Sequence, residues 1–264
     1  MKLAGDKRPI GMLDSGVGGA SVLAEAMRRL PNEDFVFYGD AAHAPYGDKP
    51  PQEVRGYVRE VADALLREGC KALVLACNTA TGVAAAALRQ ELALPVIGME
   101  PALKPAALLP GTGRVLVMAT AVTLSQEKFA WLMALYGEHA VPVPCVGLME
   151  RVEAEQLDTP ETRALIEGYL APHRVQPIKA VVLGCTHYVF LRPTLRRMLG
   201  DGVPLLDGNA GAARQLKRRL AEEGLLRFEP AHAGAVRFLS SLPGEEAKLA
   251  RMLALAQSMP NMAE

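Results

Sequence analysis

One nine-residue segment of this chain returns in closely similar form 108 positions later. Lys71-Ala72-Leu73-Val74-Leu75-Ala76-Cys77-Asn78-Thr79 returns almost position for position as Lys179-Ala180-Val181-Val182-Leu183-Gly184-Cys185-Thr186-His187. Each copy is a short apolar run closed by a cysteine and two polar residues, the pattern of a strand buried on both faces. The spacing upstream repeats as well: a strand end at Asp14 precedes Cys77 by 63 positions, and one at Thr120 precedes Cys185 by 65. Such a chain is predicted to form two similar lobes related by a pseudo-twofold. That symmetry can carry equivalent strand ends to opposite walls of one cleft.

The rest of the pattern fits this frame. Strands are expected over 9–14, 34–38, 71–76, 95–98, 114–119, 141–146 and 180–183, with helices over 21–30, 54–65, 83–92, 125–135 and 161–170 between them. The fold class expected is therefore α/β: two pseudo-symmetric lobes, each a mainly parallel sheet flanked by helices, with the active site in the cleft between them. The Pro-rich stretch 100–105 reads as the first crossover and 205–209 as the second. The N-terminal lobe then takes 1–99 and 207–264, and the second lobe 100–206. Amphipathic helices over 212–223 and 245–257 are expected to pack back on the first lobe. Arg214, Lys217, Arg218 and Arg219 precede Glu222 and Glu223, a salt-paired helix face rather than a nucleic-acid patch.

Lys plus Arg equals Asp plus Glu at 29 each, so no global field draws in nucleic acid or an anionic membrane. The chain lacks an apolar run of membrane-spanning length, and its first residues lack a secretory core, which points to a cytoplasmic protein with a small-molecule substrate. Cys70, Cys77, Cys145 and Cys185 are too few and too scattered for a disulfide framework, and none forms a C-x-x-C pair. Cys70, after a helix end, and Cys145, within an expected strand, read as buried filler.

Cys77 and Cys185 differ. Each follows a buried strand, where open α/β sheets bind ligands. The next helix start favours a thiolate there. One such cysteine suggests a nucleophile; two in equivalent places suggest inversion of a tetrahedral carbon. One thiol removes a proton from one face, the other delivers a proton to the opposite face, and the roles reverse in the back reaction.

Asp14 and Ser15 open a turn, Gly16-Val17-Gly18-Gly19, that lacks both phosphate-loop and dinucleotide spacing. Its small residues suit close approach of a substrate's charged groups to backbone amides. Tyr46 and Gly47 lie in a loop after another strand and can offer a hydroxyl and an amide. His187, two residues after Cys185, is placed to orient or join that thiol's proton transfer. His43 sits in a loop without such a neighbour.

Together these segments resemble bacterial glutamate racemases of the aspartate/glutamate racemase superfamily. The resemblance rests on the segments 11–19, Tyr38-Gly39-Asp40, Pro45-Tyr46-Gly47, Cys77-Asn78-Thr79-Ala80-Thr81 and Leu183-Gly184-Cys185-Thr186-His187-Tyr188, in family order. It implies interconversion of L- and D-glutamate for peptidoglycan synthesis, with neither pyridoxal phosphate nor metal, in a homodimer. Cys77 and Cys185 become the two acid/base thiols, the first acting on D-glutamate and the second on L-glutamate. Asp14 supports Cys77, while His187 and Glu150 support Cys185. Asp14, Ser15, Tyr46, Gly47, Asn78, Thr79, Thr186 and His187 become substrate contacts.

The chain departs from the family pattern at Gly98-Met99-Glu100-Pro101-Ala102, at His43 where Arg is common, and at Phe129 where Tyr is frequent. Aspartate racemases carry an acidic residue near the place of His187, which favours glutamate here. The alternatives are a relative acting on another carboxylate such as aspartate, a thiol redox enzyme, and a non-catalytic amino-acid-binding module.

Overall fold

Residues 5–260 are described in a computed structural model of the chain. Strands and helices alternate from the start: β1 (Ile10–Asp14), α1 (Ala20–Arg29), β2 (Phe35–Gly39), α2 (Pro51–Arg67), β3 (Ala72–Leu75), α3 (Asn78–Glu91) and β4 (Val96–Gly98). After α4 (Leu103–Ala107) the rhythm restarts with β5 (Arg114–Ala119), α5 (Ala121–Ser125), α6 (Glu127–Tyr136) and β6 (Ala140–Pro144). It continues through α7 (Leu148–Glu153), α8 (Pro160–Leu170), β7 (Ile178–Leu183), α9 (Arg192–Leu199) and β8 (Leu205–Asp207). The chain then adds α10 (Asn209–Glu222), β9 (Val236–Ser240) and α11 (Glu246–Ser258).

The strands form two all-parallel sheets, ordered β4-β3-β1-β2-β9 and β6-β5-β7-β8. The series β4-β3-β1-β2 matches β8-β7-β5-β6 strand for strand. The duplication in sequence is thus a duplication in topology, and β9 alone has no counterpart. Every residue of β1 and β3 is buried, as a parallel strand covered by helices on both faces requires. α1 turns Ala20, Val22, Leu23 and Ala26 inward and leaves Arg28 and Arg29 paired with Glu25 near solvent. α10 and α11 both pack on α1, and one apolar cluster runs from Ile10 and Met12 through to Leu116 and Met118 of the second sheet.

Local departures from the sequence expectations have physical causes. β6 ends at Pro144, two residues early, and tolerates Pro142 and Pro144 because it is an edge strand. α3 begins at Asn78 rather than near 83, because the Cys77 sulfur caps it by accepting from the Ala80 N–H at 3.5 Å. The helix expected over 125–135 is α6, and the short α5 that precedes it is not anticipated. They break at Gln126, whose extended backbone lets its amide donate to the Thr79 carbonyl at 3.2 Å. β9 is not anticipated at all: Val-Arg-Phe-Leu-Ser is short, charged and only partly buried.

Candidate active site

Cys77 follows β3 and Cys185 follows β7, the corresponding strands of the two sheets. Both face one cleft. Ser15, Tyr46, Gly47, Cys77, Asn78 and Thr79 form its wall on the first sheet's side, and Thr120, Thr123, Met149, Gly184, Cys185, Thr186 and His187 form the other. The walls approach so closely that a Cβ on Gly47 would stand 2.7 Å from the Thr120 side chain. The cavity volume is about 10 Å³, room for about one water.

On the Cys185 side, a 3-10 turn over Thr186–Leu191 places His187 Nδ1 3.7 Å from the Cys185 sulfur. Nε2 of the same ring lies 2.7 Å from Glu153 Oε1, which also accepts from the Val17 N–H at 2.8 Å. Burial alone would raise the Glu153 carboxyl, but the His187 hydrogen bond and charge, Val17 and Lys248 bring it down to about 2. Burial disfavours the charged imidazole too, yet its contacts with Cys185 and Glu153 hold His187 well above its ordinary value. The ring thus bridges a carboxylate and a sulfur. Glu150, expected at this place, is exposed, and the acid that reaches His187 stands three residues later at the end of α7.

The glycine turn makes that contact possible. A Cβ on Gly16 would lie 1.8 Å from Glu153 Oε1, and one on Gly18 would lie 2.4 Å from His187 Nδ1. The turn receives a carboxylate and an imidazole from the other half of the chain.

Around Cys77, burial and then the charge of Asp14 push the thiol up to about 12, outweighing the Ala80 N–H. The thiolate expected from the helix start alone is thus suppressed, and Cys77 holds its proton. Asp14 is fully buried behind the wall rather than on it. Its oxygens accept from the Gly16 N–H at 2.9 Å and from the Thr186 hydroxyl at 3.0 Å. Burial raises its carboxyl to about 6, and it bears on the cleft through charge rather than contact.

The Tyr46 hydroxyl donates to Asp40 Oδ2 at 2.5 Å, and burial and the Asp40 charge push it far above its ordinary value. Tyr46 therefore presents its ring to the cleft while its proton is committed behind it. His43 completes that arrangement, 2.9 Å from Asp40 and stacked on Tyr57. Asn78 Oδ1 is buried with no hydrogen-bond partner among the described residues, a free acceptor in the cleft wall. Thr79, Thr120 and Thr123 join their hydroxyls across the cleft at 3.0–3.2 Å.

Sequence reasoning does not single out Thr120, Thr123 or Glu153. The two threonines were within reach, since they open the turn after β5, the counterpart of the Asp14 turn after β1. Cys145 donates its thiol to the Val143 carbonyl at 3.3 Å, and burial raises both it and Cys70. All four cysteines are free. Among the described residues, no three His, Cys, Asp or Glu side chains gather as a metal site, and no helix is long and apolar enough to cross a membrane.

Comparison with known proteins places this geometry. Residues 15–216 match the Asp/Glu/hydantoin racemase family. The chain is 48% identical over 220 residues to a glutamate racemase of Clostridium perfringens, covering 82% of this chain and 85% of the relative. Among solved structures, Escherichia coli glutamate racemase with L-glutamate and the activator UDP-MurNAc-Ala aligns with TM-score 0.81 and 30% identity, covering 93% of this chain and 95% of that one. The Francisella tularensis glutamate racemase with D-glutamate aligns with TM-score 0.79 and 28% identity, covering 95% and 94%.

Proposed function

The chain belongs to the Asp/Glu/hydantoin racemase family, and from that premise we propose that it is a cofactor-independent glutamate racemase exchanging the α-proton through Cys77 and Cys185. The observation that carries this reading is the placement of these two thiols, at equivalent strand ends on opposite walls of one cleft. A binding module has no need of a thiol on each wall, whereas inversion at Cα needs a proton acceptor on one face and a donor on the other.

Cys77 begins as the acid: its raised thiol holds a proton ready for delivery. Cys185 begins as the base towards L-glutamate, with His187 close enough to take up or return its proton. In the reverse direction Cys77 must ionise. The substrate ammonium, drawn in by the Asp14 charge, offsets the very field that holds the Cys77 proton. Ser15, Tyr46, Gly47, Asn78, Thr79 and Thr186 are proposed to hold the carboxylates, and the free Asn78 oxygen suits the ammonium. The carbanion-like state is stabilised by these fixed dipoles in a cleft from which water is excluded. The cleft is narrow, and admission of an amino acid is proposed to part the two halves, which close again for chemistry.

The same proposal includes the cytoplasm as its location, a homodimer as its assembly and peptidoglycan D-glutamate as its product's destination. The deciding experiment is proton NMR in D2O with the purified protein and L- or D-glutamate, without added cofactor. Wild type is expected to incorporate deuterium at Cα while interconverting the enantiomers, and Cys77→Ser and Cys185→Ser are each expected to abolish racemisation. Absence of both exchange and interconversion with glutamate in wild type sinks the reading. Exchange with aspartate alone would move the substrate to that amino acid.

A further inference from the structure

Glu153 is held from outside the catalytic cleft. Its Oε1 is taken by His187 and the Val17 N–H, and its Oε2 lies 3.1 Å from Lys248 Nζ. Lys248 belongs to α11, which packs on α1 in the first half of the fold, whereas Glu153 ends α7 in the second. The same ammonium is fixed by Glu245 at 3.0 Å, the residue that caps its own helix, and its side chain is 19% exposed. One helical turn further along α11, Arg251 reaches Glu155 at 2.6 Å. Glu155 is the one non-glycine residue with positive φ among the described residues, at 56°. Glu155 lies two positions beyond the end of α7, and both its carboxylate and that of Glu153 meet α11.

We infer that Lys248 is a positioning residue for the Cys185 half of the reaction, fixing Glu153, and through it His187, from the opposite lobe. A carboxylate with only His187 and a backbone N–H can rotate about its side chain. A cation on the second oxygen removes that freedom and keeps the ring aimed at the sulfur. Because the cation comes from the other half of the chain, the relay is complete only when the lobes are closed. Arg251 serves as the internal comparison: it ties the same helices together but touches neither Glu153 nor His187.

The inference rests on the racemase reading, and its test separates the two. Lys248→Met is expected to lower kcat/KM about tenfold, with KM changed less than twofold. L- and D-glutamate must lose kcat/KM equally, since their equilibrium constant is one. The discriminating readout is therefore the primary isotope effect with Cα-deuterated substrate, which should rise for L-glutamate, deprotonated by Cys185, and not for D-glutamate. Lys248→Arg should restore most of the activity, and Arg251→Met should leave it within twofold of wild type. Independently of any substrate, the low-field proton resonance of the His187 Nε2–H bond should weaken in Lys248→Met and persist in Lys248→Arg. An unchanged resonance with an unchanged isotope effect overturns the inference. So does an equal loss in Lys248→Met and Arg251→Met that follows thermal stability. If wild type does not exchange the glutamate α-proton, the racemase reading falls, and the His187 resonance still decides whether Lys248 positions the pair.

Discussion

His187 Nε2 and Glu153 Oε1 stand 2.7 Å apart, a partly buried pair drawn from a turn and a helix that are 34 residues distant in sequence. Glu153→Gln keeps the shape and removes the charge. We expect racemisation to fall about 10²-fold, the scale of a lost acid/base contribution. The carboxyl is held at about 2, below its unfolded value of 4.5. Its stabilisation is thus complete above pH 4.5 and lost as pH falls towards 2, on the order of 3 kcal/mol. Urea melts across that window should show the loss in wild type and a flatter profile in the variant.

Asp14 behaves in the opposite sense. Burial raises its folded carboxyl to about 6 from 3.8, so the folded state binds the extra proton, and stability declines as pH rises from about 4 to about 6. At neutral pH the buried charge costs about 3 kcal/mol. Asp14→Asn can still accept from the Gly16 N–H and can donate to the Thr186 hydroxyl. It should stabilise the fold at pH 7 by up to about 3 kcal/mol and erase the decline, while activity drops. Paired denaturation and deuterium-exchange measurements would read both; a variant that is less stable at pH 7 contradicts this account.

Gly16→Ala places a methyl 1.8 Å from Glu153 Oε1. The carboxylate is the end of a flexible side chain and can retreat, so the protein should fold. The retreat breaks the Val17 N–H contact and slackens His187, and a displacement near 1 Å costs about 10² in rate. Normal circular dichroism with depressed kcat is the expected pair of results, and normal kcat would show that the turn can yield elsewhere.

At the far end of the first sheet, Lys71 and Glu33 form an ion pair at 2.5 Å with both side chains 2% exposed or less. Lys71 also donates to the Asp6 carbonyl, and Glu33 accepts from the Arg227 N–H. Lys71→Met leaves Glu33 charged and unpaired, which should cost about 3–5 kcal/mol. Adding Glu33→Gln should recover part of it. Chemical denaturation of the single and double variants tests both statements, and a single variant as stable as wild type would refute the first.

The duplicated segments made the two-sheet plan legible, because Val-rich runs that alternate with amphipathic helices admit few other folds. The thiols followed from their strand-end position. Glu153 did not, since Glu150 and Glu153 share one short helix and differ by less than a turn. The face that α7 buries, with Leu148, Met149 and Val152, leaves Glu150 exposed and brings Glu153 to His187. β9 escaped notice because an edge strand carrying Arg237 has weak alternation. Lys248 and Glu153 are 95 positions apart, and no periodicity reports a contact of that kind.

The matching strand orders have one more consequence. The orders β4-β3-β1-β2 and β8-β7-β5-β6 correspond one to one, so each half brings to the cleft the residues that follow the same two strands, β1 and β3 in one and β5 and β7 in the other. The halves thus set one thiol on each wall of the cleft. Beside the thiols the walls differ, Asn78-Thr79 on one side against Thr186-His187 on the other. The two faces of one molecule held between the thiols would therefore meet different polar side chains.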